Sequence, residues 1–122
     1  MIIDHIGITV SNTTQSKAFY TACLSSLDIQ LLFEVEGWIG YGRAGKAEFW
    51  FGEQGQPQRS MHIAFAAATR QQVDNFYHSA LAAGGKDNGA PGIREMYHPD
   101  YYGAFVLDPD GHNIEAVCHA PE

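Results

Sequence analysis

A chain of 122 residues, 45% hydrophobic and 17% charged, has apolar material for one folded domain or for two small modules sharing a core. Its formal charge of −7 argues against phosphate-rich partners, whether nucleic acid or an acidic membrane surface. No apolar run reaches the length of a membrane span, no basic-then-apolar start resembles a secretory leader, and Cys23 and Cys118 make no disulfide framework, so a reduced cytoplasmic setting is expected.

The chain opens on a strand, Ile2 to Val10, in which Ile6, Ile8 and Val10 share one face and Ile3, His5, Gly7 and Thr9 the other. A helix from about Thr14 to Leu24 follows, with Asn12 to Thr14 offering caps. Three strands come next: Ile29 to Val35, Trp38 to Gly42 and Ala47 to Phe51, with turns at Glu36-Gly37 and Arg43 to Lys46. The polar stretch Glu53 to Ser60 reads as a joint. Met61 to Ala67 then repeats the first strand, with Ile63 and Phe65 on one side and His62, Ala64 and Ala66 on the other. Thr69 and Gln72 make a capping box for a second helix, whose apolar stripe is Val73, Phe76, Tyr77, Ala80 and Leu81 and whose stop is Gly84-Gly85. Gly84 to Gly92 reads as loop, with a short strand expected over Ile93 to Tyr97.

Laying His5 on His62 without a gap sets His5-Ile6 on His62-Ile63, Phe19-Tyr20 on Phe76-Tyr77 and Leu24 on Leu81. Pairs recurring at one fixed offset across a strand and its helix indicate an internal duplication. The fold class is therefore α+β: one domain of two tandem β-α-β-β-β modules, residues 1–56 and 57–122. The apolar strand faces must pack on the helices, which leaves the opposite faces, with His5 and His62, lining a trough.

The last segment, Tyr101 to Val117, reads as a hairpin closed by Asp108-Pro109-Asp110-Gly111. Its outgoing strand carries Glu115 among apolar residues, and a carboxylate there needs water, a cation or a hydrogen-bond donor beside it. Asp108, Asp110 and His112 are turn residues in this reading, His119 belongs to a tail expected to be mobile, and Tyr20 packs in the core. The loop Arg94 to Tyr102 lies at the mouth of the trough, where Arg94, Tyr97, His98, Tyr101 and Tyr102 are candidate substrate contacts. Which tyrosine points inward is open.

Two β-α-β-β-β units with histidine in each first strand and glutamate in the last resemble the vicinal-oxygen-chelate superfamily, which includes glyoxalase I, extradiol dioxygenases and the bleomycin and fosfomycin resistance proteins. The residues carrying the resemblance are DHIGITV (Asp4 to Val10), MHIAFAA (Met61 to Ala67) and AFVLDPDGHNIEAV (Ala104 to Val117). The resemblance implies that the two half-sheets form an open barrel-like trough holding a divalent metal (nickel, zinc, cobalt, manganese or iron), bound by His5, His62, Glu115 and a fourth ligand from the strand Ala47 to Phe51. Glu48 and Trp50 share one face of that strand. With Glu48 the set is two imidazoles and two carboxylates; with Trp50 in its place only two histidines and one carboxylate remain, the facial set of non-heme iron(II) oxygenases. The resemblance further implies a small-molecule substrate and a homodimer. By analogy with glyoxalase I it implies a lyase or isomerase in which Glu115 or Glu48 moves a proton. The alternatives are extradiol-type oxygenation and metal-free binding of a planar compound, with Trp50 among the stacking residues.

Overall fold

The computed structural model describes residues 3–121. Its first module runs β1 (Ile6–Thr9), α1 (Thr13–Ser25), β2 (Gln30–Val35), β3 (Trp38–Arg43) and β4 (Lys46–Gly52). The second runs β5 (His62–Ala66), α2 (Arg70–Ala82), β6 (Lys86–Ile93), β7 (Tyr102–Leu107) and β8 (Asn113–Cys118). The strand orders are β1-β4-β3-β2 and β5-β8-β7-β6, one plan used twice. In each sheet the first and last strands pair in parallel and the rest are antiparallel. The two sheets are not closed into a barrel.

Local chemistry explains the elements. Asn12 caps α1 by accepting from the Gln15 N–H at 2.9 Å, and Thr69 caps α2 by accepting from the Gln72 N–H at 3.1 Å. The Gln72 side chain reaches back to the Ala68 N–H at 2.8 Å, one residue before the cap. Glu36-Gly37 and Ala44-Gly45 both take positive φ, as two-residue hairpins that match strand twist require. The second-module strand expected over Ile93 to Tyr97 lies earlier, at Lys86–Ile93, in the segment expected to be loop. The reason is its place at the sheet edge. There the missing N–H of Pro91 and the register shifts around Gly89 and Gly92 cost little.

One core joins the modules. Ile8, Phe49 and Phe51 of the first sheet, and Ala104, Val106, Ile114 and Ala116 of the second, are buried with the inner faces of both helices. Phe49 meets Phe65 edge-on at 5.4 Å, across the module boundary. Tyr20, fully buried, packs on Phe49 and Phe51 and donates its hydroxyl to Asp108, at the turn of the other module. Asp108 also accepts the N–H groups of Asp110 (2.9 Å) and His112 (2.8 Å), so the turn is held from three sides. With Phe49, Phe51, Ile114 and Ala116 turned to the core, Glu48, Trp50 and Glu115 face the other way.

Candidate functional site

The second sheet builds the polar half of the site. Glu115 is 1% exposed, and both its oxygens are engaged: His62 Nε2 lies 2.8 Å from Oε1, and Tyr101 donates its hydroxyl to Oε2. Burial and the bond to Glu115 both push the Tyr101 hydroxyl above its ordinary value, so it remains a donor. Strand parity assembles the group. Phe105 is the cross-strand partner of Glu115, so Gly103 and Tyr101, at alternate positions before it, share that face. A Cβ on Gly103 would come within 3.2 Å of both Glu115 and the Tyr101 ring, so glycine keeps their contact open.

The first sheet builds the aromatic half. In the registers, Ile6 pairs with Phe49 and Gly7 with Trp50, while Ile63 pairs with Ile114 and Ala64 with Glu115. Under the duplication, the counterpart of Glu115 is therefore Trp50, and that of Glu48 is Asn113. Trp50 stacks on Phe33 at 6.1 Å with 9° between the rings, over Gly40, where a Cβ would come within 2.7 Å of the indole. His5 precedes β1, is exposed, and pairs through Nδ1 with Asp4 at 2.7 Å. His5 and then Lys46 hold the Asp4 carboxyl below its ordinary value.

Two cavities, each of about 460 Å³, meet at His5: one lined by His5, Arg43, Glu48 and His62, the other by His5, Gly7, Trp38 and Trp50. Of the expected metal ligands, His62 and Glu115 touch, while His5 and Glu48 line a cavity with His62 without joining the pair. Among the described residues, no three His, Cys, Asp or Glu side chains cluster closely enough to hold an ion. The chemistry of the donors nonetheless suits a divalent cation. Two ligands at right angles on one ion, each about 2.1 Å from it, stand about 3 Å apart, close to the His62–Glu115 spacing.

Of the expected substrate contacts, Arg94 lies over the Phe105 ring at 5.4 Å, and Phe105 lies 6.2 Å from the His62 ring. Tyr97 and His98 pack on the Tyr101 ring at 4.8 and 5.4 Å. Tyr102 is corrected: its hydroxyl bonds Asp74 of α2 at 2.6 Å and Arg70 sits over its ring, which puts it on the helix side. His119 is also corrected from mobile tail to partner of His98, with Nδ1 and Nε2 2.6 Å apart. Sequence reading missed His112, which is fully buried and accepts the Met61 N–H at 3.0 Å, holding the backbone next to His62. No pattern in the DPDGH turn separates that role from an ordinary turn residue.

A sequence model of the Glyoxalase/Bleomycin resistance protein/Dioxygenase superfamily matches residues 2–116. The chain belongs to this superfamily. A glyoxalase/bleomycin resistance protein from Albidiferax ferrireducens T118 is 29% identical, with a TM-score of 0.85 over 99% of this chain and 100% of its own. A superfamily enzyme from Burkholderia phytofirmans PsJN shares the fold at 20% identity and TM-score 0.74, covering 97% of this chain and 98% of its own. So does a protein described as oxidase ChaP-H2, at 16% identity and TM-score 0.70, covering 99% and 94%. No curated protein matches the chain significantly.

Proposed function

We propose that this superfamily member is a divalent-metal-dependent enzyme acting on a small substrate that presents two adjacent oxygens, with His5, His62 and Glu115 as ligands. The observation carrying the reading is the 2.8 Å contact between His62 and a Glu115 carboxylate buried on the trough face. When bound, the ion supplies Lewis acidity toward the substrate oxygens. The chain's own residues do the rest. As a ligand beside the substrate oxygens, Glu115 would accept or return a substrate proton, with His62 and Tyr101 holding its two oxygens in place. Tyr101 donates to Glu115 throughout, and the Trp50–Phe33 stack offers a flat apolar wall for the rest of the substrate.

The placement of Trp50 at Glu115's counterpart supports the three-ligand set, which suits iron(II) and oxygenation of a catechol-like compound. One observation favours the lyase or isomerase reading instead: Glu48 lines the same cavity as His5 and His62, where it would serve as fourth ligand and second proton carrier. In either reading the protein works as a cytoplasmic homodimer. The exposed His62, Ala64 and Ala66 of edge strand β5 support a covering second copy, and the free Cys23 and Cys118 fit a reducing compartment.

Titrating metal-free protein with iron(II), nickel(II) and zinc(II) tests this. Glu115→Gln and His62→Ala should each weaken binding by about 100-fold, because losing a ligand costs at least as much as losing a group that orients one. Unchanged affinity in Glu48→Gln, with oxygen uptake on adding catechol to iron-loaded protein, selects oxygenation. An equal loss in Glu48→Gln selects the four-ligand lyase or isomerase. Failure of the wild type to bind any of the three ions overturns both and leaves metal-free binding of a planar ligand.

A further inference from the structure

Arg94 is a cation on the trough face that the reading above leaves without a task. Its guanidinium uses two of its five N–H groups, donating to the carbonyls of Gly92 (2.9 Å) and Ala90 (2.7 Å). Among the described residues it has no carboxylate within 4.0 Å, whereas Lys17, Lys46 and Arg70 are paired with Glu34, Asp4 and Asp100. Arg43, which lines a cavity with His5 and His62, is taken up by the Leu27 and Asp28 carbonyls after α1. In a chain of net charge −7, a half-buried guanidinium with no carboxylate partner, lying over the cross-strand neighbour of Glu115, is conspicuous.

It is also held in a prepared place. A Cβ on Gly92 would come 3.1 Å from one guanidinium nitrogen, and a Cβ on Gly89 would come 3.2 Å from another and 2.9 Å from Phe105. Gly89 additionally has φ of +149°, which a side chain rarely tolerates. The glycines clear space in which the planar guanidinium lies over the Phe105 ring, and the same ring lies 6.2 Å from that of His62. A flat substrate with its oxygens at His62 and Glu115 would therefore cross Phe105 and bring its far end to Arg94.

We infer that Arg94, fixed over Phe105 by Gly89 and Gly92, is the anion clamp of the trough, and that the substrate is a planar compound carrying a carboxylate at the end remote from the reacting oxygens. The inference rests on the proposed trough site, but the clamp needs no metal. A fork of guanidinium donors matches a carboxylate in shape as well as charge.

Calorimetric binding of 4-hydroxybenzoate and of its neutral methyl ester to metal-free protein tests it. Wild type should bind the acid about tenfold or more tighter than the ester. Arg94→Gln should bring the ratio near one, and Arg94→Lys should keep part of it. Gly92→Ala keeps the cation but displaces it, so its ratio should fall as well, which guards against Arg94→Gln failing for lack of a fold. Glu115→Gln should retain the preference for the acid even though it loses metal, which separates failure of the clamp from failure of the metal site. An acid-to-ester ratio of one in wild type, an undiminished ratio in Arg94→Gln, or no binding of either probe to wild type would overturn the clamp.

Discussion

In the second sheet Glu115 stands beside Ala64, with the Phe105 ring as its cross-strand neighbour; at the same register of the first sheet Trp50 stands beside Gly7, with Gly40 as its cross-strand neighbour. The ring and the carboxylate have not simply been exchanged. Where one sheet has a carboxylate next to an aromatic, the other has an aromatic next to nothing, and the indole spreads into the gap over Gly40. One backbone plan thus gives a polar face built on a hydrogen-bonded carboxylate and an apolar face that stacks. The difference teaches that the duplication fixes where side chains point, while two positions per sheet decide which chemistry they bring.

The largest expected effect tests the polar face. Tyr101→Phe removes one of the two donors to a buried carboxylate and should cost about 2 kcal/mol in urea unfolding, the range for a hydrogen bond to a charged group. Phe33→Ala, on the opposing face, removes a ring that is 43% exposed and should cost less than about 1 kcal/mol. Equal costs would mean the two faces are not held together by different forces.

Gly40→Ala probes the apolar face. A Cβ there would sit 2.7 Å from the Trp50 ring, so the indole must move off Phe33. The expected cost is about 1 to 2 kcal/mol, with a shift in tryptophan fluorescence. Unchanged fluorescence would show that the ring does not rest there.

These faces were unequally legible. His-Ile and Phe-Tyr pairs at one offset are enough to disclose the duplication, and the duplication carries the strand orders. Alternation sets Glu115 opposite Ile114 and Ala116, so its burial on the trough face follows from residues in view. Parity could also have parted Tyr101 from Tyr102, since Gly103 and Phe105 share the first one's face and Ala104 and Val106 the second's. What parity cannot supply is register between strands distant in sequence. Choosing between Glu48 and Trp50 as counterpart of Glu115 needed the pairings Gly7 with Trp50 and Ala64 with Glu115. The strand at Lys86–Ile93 was hidden for another reason: its glycines and Pro91 are loop residues by propensity, and only an edge position makes them tolerable.

A smaller effect comes from pH. Burial, and then donation to Glu115, raises Tyr101 above the ordinary phenol value, and burial with Asp108 does the same for Tyr20. In the unfolded chain these phenols titrate near pH 10. The folded state keeps protons that the unfolded state gives up, so this stabilisation is complete below about pH 10 and declines as pH rises through the folded values. Urea midpoints should therefore fall as pH is raised above about 10, and Tyr101→Phe should flatten the fall without abolishing it, because Tyr20 remains. The stacked face contributes nothing, since Trp50 and Phe33 do not titrate. An equally steep fall in Tyr101→Phe would mean that its hydroxyl is not held by Glu115.

The smallest effect on stability carries the most information about the site. His5 is exposed, and its ion pair with Asp4 is exposed too, so His5→Ala should change unfolding by no more than about 0.5 kcal/mol. If His5 completes a centre with His62 and Glu115, the same substitution should weaken metal binding by about tenfold or more. A residue that the fold can spare and the ion cannot is a ligand. Unchanged metal affinity would confine the centre to the second sheet, with Tyr101 or solvent completing it, and would leave the first sheet purely a stacking wall. A drop in both quantities would instead make His5 part of how β1 is held beside β4, and its place on both cavities would then be a matter of architecture.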